Sequence, residues 1–215
     1  MGKGTQAALL HERLGACHLS TGDVFRTAGS RPGSAQSPAI KEALASIRRG
    51  ELVPDSTVLE VVRERRACLH CPSGFILDGF PRTVPQAEAL NVLLDHEGLA
   101  LTAVIDYDLP VKDTVERLAG RRTCSRCKAV YHVIERPPKL AGRCDLCQAP
   151  LLQREDDCPE SIRVRLETYT RSTAPLIEFY QERGLLVVVK AIGTPEEIFS
   201  RTMSALSFSP ADSSI

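Results

Sequence analysis

The sequence predicts an α/β protein: a mostly parallel sheet with helices between its strands, interrupted by one small cysteine-rich insert. Three observations carry this reading. Short apolar runs (GFILD at 74–78, TAVIDY at 102–107, LLVVV at 185–189) alternate with stretches of helical period. Residues 123–157 lose that period and concentrate cysteine, proline and glycine. The whole chain, 215 residues with 43% hydrophobic and 25% charged, fits one core-forming domain with room for an insert.

The elements follow in order. Ala7, Ala8, Leu9, Leu10 and Leu14 form a helical stripe that Gly15 ends. Cys17-His18-Leu19 is a short strand, and Ser20-Thr21-Gly22-Asp23 is a polar turn that caps the next helix. Residues 29–38 are a Gly, Pro and Ser-rich loop. A helix runs from about Ala39 to Arg49 and stops at Gly50; Asp55 or Ser56 caps another. Gly74 to Asp78 is a buried strand ending in a carboxylate, and Gly79-Phe80-Pro81-Arg82 is a tight loop. Val84 to Leu94 is an amphipathic helix, Thr102 to Tyr107 a strand, and Val111 to Ala119 a helix. After the insert, a long helix from Ser161 to about Arg183 bends near Pro175. Leu185 to Val189 is the last strand, Pro195 to Leu206 the last helix, and 207–215 a frayed end.

Composition excludes several functions. Lys plus Arg and Asp plus Glu both number 27, so a nucleic-acid binder working through bulk phosphate neutralisation is not expected. No apolar run reaches the ~18–20 residues that span a bilayer, and no secretory h-region opens the chain. Met1-Gly2 is a poor myristoylation start, with Gln6 where Ser or Thr belongs. A cytoplasmic location, no membrane, and a monomer are therefore expected.

Cys124-x2-Cys127 and Cys144-x2-Cys147 are separated by sixteen residues. Two such turns present four thiolates to one ion, the tetrahedral soft set of structural Zn2+, with no open position for catalysis. A segment this short buries little core, so the metal supplies folding energy. Unpaired thiols, an Fe–S centre or redox chemistry are the alternatives. Cys68-x2-Cys71 has no second pair nearby and reads as ordinary thiols at a helix end; Cys17 and Cys158 read as unpaired.

Gly2-Lys3-Gly4-Thr5 leads directly into a helix, where backbone N–H groups favour anions and Lys3 adds a point charge. Arg26, Arg82, Arg117, Arg121, Arg154 and Arg165 recur beside turns and helix ends, suited to bidentate phosphate contacts. Asp78 is a candidate water-mediated Mg2+ ligand; a helix cap is its ordinary alternative.

Together these segments resemble the adenylate kinase family of nucleoside monophosphate kinases. They are GKGTQA at 2–7, STGD at 20–23, GELVPD at 50–55, GFILDGFPRT at 74–83, Gln86 and GRR at 120–122. VYHV at 130–133, RxDD at 154–157, IRVRL at 162–166 and TAPLI at 173–177 complete the set. The four-cysteine segment looks like the zinc-bearing lid of the long bacterial-type members. The resemblance implies a P-loop three-layer fold and a reversible phosphoryl transfer from ATP to AMP with Mg2+. Its core would comprise 1–122 and 158–215, with AMP-binding helices at about 20–54 and a lid at 123–157. It places Gly2, Lys3, Gly4, Thr5, Arg117, Arg121, Val130, Tyr131 and Gly193 on ATP. Thr21, Arg26, Glu51, Leu52, Val53, Gly79, Phe80, Pro81, Arg82, Gln86, Arg154 and Arg165 fall to AMP. Lys3, Arg82, Arg121, Arg154 and Arg165 would act on the transferred phosphoryl.

The chain departs from the family at its start. Members begin with a buried central strand and a GxPGxGKGT loop, whereas this sequence opens in the second half of that loop. The first central strand is expected to be missing, leaving ladder groups unpaired and a weakened enzyme or kinase-fold fragment. A non-enzymatic zinc-ribbon binder is the alternative from another class. It needs basic and aromatic residues around the cysteines, but 123–157 holds one aromatic, Tyr131, among mixed charges.

Overall fold

The computed structural model describes residues 2–29 and 38–207. Ten α-helices and seven strands lie in these residues. In the core, β1 (Cys17–Ser20) pairs in parallel with β2 (Phe75–Asp78), Cys17 opposite Phe75 and Ser20 opposite Asp78. Separately, β3 (Val104–Asp108) pairs in parallel with β7 (Leu186–Lys190), Val104 opposite Leu186. The two pairs form two distinct sheets, so the parallel layer is split.

Helix α1 (Lys3–Leu14) starts at Gly2 in the left-handed region and ends at left-handed Gly15, whose N–H bonds to the His11 carbonyl at 2.9 Å. Its Ala7 and Leu10 are buried. Helices α2 (Thr21–Gly29), α3 (Pro38–Arg49) and α4 (Asp55–Glu64) follow. They surround the largest core cluster with Leu19, Phe25, Val58, Val62, Leu69 and Phe80. Asp55 is the first residue of α4 rather than its cap, and no side chain caps that helix. Its carboxylate instead accepts from Gln86 Nε2 at 2.6 Å and Thr83 Oγ1 at 3.2 Å. Thr21 likewise lies inside α2.

Helix α6 (Val84–His96) is capped by Thr83, whose hydroxyl accepts from the Gln86 N–H at 3.2 Å, with proline in the first turn. Helix α7 (Val111–Ala119) leads into an antiparallel sheet in which β4 (Arg121–Cys124) lies between β5 (Val130–His132) and β6 (Leu151–Leu152). The expected long helix is α8 (Pro159–Thr168) and α9 (Pro175–Gln181), separated by a π-helical turn at Tyr169–Thr173. The break falls just ahead of Pro175, which has no N–H to continue the ladder. Helix α10 (Pro195–Ser207) packs Ile198 against Val189 and Ala191.

One expectation is corrected outright. Cys17 and Cys68 are not free thiols: they form a disulfide with Cα atoms 5.5 Å apart. The sequence treats them as unrelated because 51 residues separate them. The short helix α5 (Arg66–Leu69) packs beside β1 and brings the sulfurs together. Cys71 and Cys158 remain thiols, and Cys158 Sγ contacts Ser161 Oγ at 3.1 Å. Most of the loop expected at 29–38 and all but the first residue of the tail expected at 207–215 lie outside the described residues.

Candidate functional site

The site gathers at the C-terminal ends of β1 and β2, where α1 begins. A Cβ at Gly4 would lie 3.3 Å from Asp78 Oδ2, so the first turn of α1 rests against that carboxylate. Burial raises the Asp78 carboxyl, but the nearby His18 and the charges of Lys3 and Arg82 outweigh this and hold it below the usual range. His18 Nε2 stands 3.6 Å from Asp78 Oδ2. Lys3 is reached by water yet ringed by protein. Lost hydration, with Arg82 and Arg165 nearby, lowers its ammonium to about 8 against the pull of Asp78 and Asp106.

The loop after β2 is built closely. Gly79 has φ 81°, and a Cβ there would lie 3.1 Å from Arg82 Nη2 and 3.3 Å from Thr21 Oγ1. The Phe80–Pro81 bond is cis, and Phe80 is buried. Arg82 donates from Nε to the Gly79 carbonyl at 2.9 Å and from its backbone N–H to Gln86 Oε1 at 2.7 Å. Thr173 Oγ1 donates to the Arg82 carbonyl at 2.9 Å. The backbone around Arg82 is thus held from α6 and from the π-helical turn. Gln86, 2% exposed, contributes its oxygen to Arg82 and its nitrogen to Asp55. In this conformation it is a positioning residue.

Cations converge around this loop. Burial first, then the charges of Arg82 and Arg121, lowers Arg165 to about 10. Burial, then Arg121 and Arg26, lowers Arg154 to about 10. Burial is also the main cause that lowers Arg82. Lys3, Arg26, Arg82, Arg121, Arg154 and Arg165 therefore form one electrostatically linked group. Its acidic partners are fewer. Asp157, 1% exposed, accepts from Arg121 Nε at 2.8 Å and Nη2 at 2.5 Å. Asp156 lies 3.4 Å from Arg165 and 3.9 Å from Arg121. Asp23 pairs with Arg26 at 2.7 Å, and Arg154 Nε donates to Thr123 Oγ1 at 3.1 Å. Thr21 Oγ1 lies 3.4 Å from the Asp78 carbonyl. Like charges held this close, with poor hydration, invite a polyanion.

Other expected residues lie apart from this group. Arg117 donates to the Ala191 carbonyl at 2.8 Å and the Gly193 carbonyl at 3.4 Å, and pairs with Glu135 at 3.4 Å. That joins two of the residues expected on ATP at a second locus. Glu51 is exposed, with its carboxylate held by Arg49 at 2.9 and 2.7 Å; Leu52 lies in the cleft wall and Val53 is buried in the core. Tyr131 is also buried: its hydroxyl accepts from the Asp145 N–H at 2.8 Å and lies 3.5 Å from Cys144 Sγ. Its side chain serves the cysteine module, and the Val130–Tyr131 backbone pairs with Arg122 and Thr123.

The four cysteine sulfurs all lie within 4.8 Å of one another, with Cys124–Cys147 at 3.4 Å and Cys127–Cys144 at 3.5 Å. A tetrahedral Zn–S bond of ~2.3 Å sets sulfurs about 3.8 Å apart, so the set fits zinc. The two turns are copies. Cys124 N–H bonds Ala129 O and Cys144 N–H bonds Ala149 O, both at 2.9 Å. Lys128 and Gln148, each following a pair's second cysteine, are left-handed at φ 62° and 59°. Cys144 is a ready ligand: burial raises its thiol, but hydrogen bonds, Tyr131 foremost, bring it down to about 6.

Sequence reading quoted Asp55, Asp156, Asp157 and Thr173 within motifs but gave them no role at the site, although they hold the functional groups in place, and it gave none to His18 beside Asp78. Their signal was faint. RxDD was visible as a motif, but which carboxylate meets which arginine depends on how the 3-10 turn Glu155–Asp157 sets Asp157 on Arg121 and Asp156 on Arg165.

A parallel α/β core with a helix N-terminus and clustered guanidinium groups at its strand ends defines a nucleotide phosphotransferase. Comparison with known proteins narrows this. The adenylate kinase family model matches residues 1–185. Over 205 residues the chain is 46% identical to the adenylate kinase of Thermodesulfovibrio yellowstonii, covering 95% of this chain and 94% of that one. It is 45% identical over 206 residues to that of Streptomyces avermitilis (95% and 92%). It is 44% identical over 205 residues to that of Carboxydothermus hydrogenoformans (95% and 94%). The chain belongs to the adenylate kinase family, enzymes that transfer a phosphoryl group from ATP to AMP to give two ADP and use Mg2+ with ATP.

Proposed function

We propose that the linked cations divide the two nucleotides between them and that this group carries the reaction. Lys3 binds the donor's β- and γ-phosphates with the Gly2, Gly4 and Thr5 end of α1. Thr21, Arg26 and Arg82 hold AMP, with Gln86 acting at that site by positioning Arg82, Glu51, Leu52 and Val53 framing the base and ribose, and Gly79, Phe80 and Pro81 shaping the loop. Arg117, Arg121, Val130, Tyr131 and Gly193 hold ATP. Arg154 and Arg165 stand at the transferred phosphoryl. The observation that supports this reading most is the convergence of these cations on one loop, where burial first and neighbouring arginines second lower Lys3, Arg82, Arg154 and Arg165. Such groups wait for negative charge, and phosphoryl transfer needs positioning and charge stabilisation rather than a general base.

Asp78 is the residue suited to hold Mg2+ through water, and the ion supplies charge neutralisation on the phosphates. Cys124, Cys127, Cys144 and Cys147 hold a structural zinc in a lid at 123–157, which closes over the nucleotides and excludes water. The rest of the chain, 1–122 and 158–215, is the core, with the acceptor helices at about 20–54. The protein acts as a monomer in the cytoplasm on small nucleotides and uses no nucleic acid. Sedimentation of the purified protein tests the oligomeric state.

The test of the division is Arg165→Ala. Removing one of several crowded cations should lower kcat in a coupled ADP-formation assay about 100-fold or more, while the melting temperature without nucleotide holds or rises. An unchanged kcat overturns the assignment.

A further inference from the structure

The turn that follows β5 is held by one imidazole. Val133, Ile134 and Glu135 form this turn, closed where the His132 N–H bonds the Arg136 carbonyl at 3.0 Å. Its apolar side chains give it no anchor, since Ile134 is 79% exposed and Val133 47%. The His132 ring fills that role. Its Nδ1 accepts from the Ile134 N–H at 3.2 Å and from the Glu135 N–H at 3.0 Å. A neutral imidazole has one donor and one acceptor nitrogen, so an accepting Nδ1 leaves the proton on Nε2. Nε2 lies 3.4 Å from the Glu116 carbonyl in the last turn of α7 and donates to it. One ring thus ties the turn to α7, across the start of β4.

Gly120 makes room for this ring. Its φ is −81°, open to any residue, so the backbone itself does not call for glycine. A Cβ there would instead run into His132 Nε2 and stand 2.5 Å from Cε1 and 2.8 Å from Cδ2. The Val133 N–H bonds the Gly120 carbonyl at 3.0 Å and completes the seat. From the turn, contacts lead to Arg117. Glu135, whose N–H enters the ring, places its carboxylate 3.4 Å from Arg117 Nε. The other Arg117 nitrogens donate to the Ala191 and Gly193 carbonyls at 2.8 and 3.4 Å. The guanidinium is therefore held on three sides, and His132 sets the side that Glu135 supplies. Glu135 is 54% exposed, so the ion pair adds little energy; what it contributes is the orientation of a planar group.

We propose that His132 is a positioning residue for the donor side of the site: its Nε2–H tautomer, seated on Gly120, holds the turn so that Glu135 orients Arg117 for ATP. This rests on Arg117 being a donor contact. None of the contacts in the series involves the loop after β2, so AMP binding should be indifferent to it.

The test uses the full chain and calorimetric affinities for ATP and AMP. His132→Asn puts an oxygen where Nδ1 stood and can accept both N–H groups. His132→Gln keeps more of the ring's bulk and its outer donor but lacks that acceptor. His132→Gln should weaken ATP binding about tenfold with AMP unchanged, and His132→Asn should recover most of the loss. Packing alone predicts the reverse order, because glutamine is nearer the ring in size. Gly120→Ala keeps the imidazole but displaces it; it should match His132→Gln, and the double variant should lose nothing more. Heteronuclear NMR of the unaltered protein should find the His132 proton on Nε2, a result that misfolding of a variant cannot imitate. A proton on Nδ1, ATP binding no stronger in His132→Asn than in His132→Gln, or equal loss of ATP and AMP affinity overturns the proposal. Arg117→Ala separates the two levels. If it leaves ATP affinity unchanged, the donor assignment falls and this inference with it. If it weakens ATP binding while His132→Gln and Gly120→Ala do not, the assignment stands and this inference alone falls.

Discussion

Lys3 shows how a single side chain is tuned by its surroundings. Its ammonium is lowered from 10.5 to about 8. Between those pH values the folded chain has released a proton that the unfolded chain retains, so stability rises with pH across that window; below about pH 8 the full penalty applies. Nucleotide binding has the opposite sign, because the free protein loses a positive charge as pH climbs through 8. The expected result is ATP affinity that falls from pH 7 to 9.5 and a shallower slope in Lys3→Met, both measured by calorimetry. An identical slope in the variant assigns the titration elsewhere. The presence of Lys3 before a helix was plain in the sequence. Its depressed pKa was not, because it depends on Arg82 and Arg165 arriving from positions 79 and 162 residues away. Gln86 makes the same point: the sequence marks it as a ligand group, while folding spends both ends of its amide on Arg82 and Asp55.

At the scale of elements, sequence reading succeeded where period or a local stop signal is strong. Helix α7 was legible to the residue, and α6, α3 and α10 within two at either end, because proline, threonine or glycine punctuates them. The two cysteine turns were legible for a similar reason, since two CxxC pairs lie within 24 consecutive residues. A bound metal is expected to be the main support of β4–β6, whose buried cluster among the described residues is Cys124, Tyr131 and Cys144. Chelation or Cys144→Ser should abolish hydrogen-exchange protection in residues 121–152 while leaving β3 and β7 protected. Atomic absorption should find one zinc per chain before chelation. The Cys17–Cys68 bond was illegible because nothing near either cysteine specifies the other. By loop-closure entropy a loop of this length is worth about 4 kcal/mol. Cys17→Ser should therefore lower the melting temperature, with the change abolished when both proteins are measured under reduction.

For the whole molecule, alternation of strand and helix sufficed to read the α/β class, and family resemblance supplied the order of parts. Among the described residues that layer has an opening between β2 and β3. Its physical cost appears in half-buried β2 and β3. Joining an aliphatic strand and a GxPGA-like turn ahead of Gly2 should pair both edges and add N–H donors around Lys3. Melting temperature and ADP formation should rise together, and one such donor is worth ~10²-fold in rate. If the 215-residue chain already matches the extended one in a side-by-side assay, the loop needs no such completion.

The disulfide also has a topological consequence. Residues 17 and 68 close a covalent ring that contains α2, α3 and α4. A protease cut anywhere inside this ring leaves both ends tied, so the nicked protein migrates as one species on a gel until it is reduced.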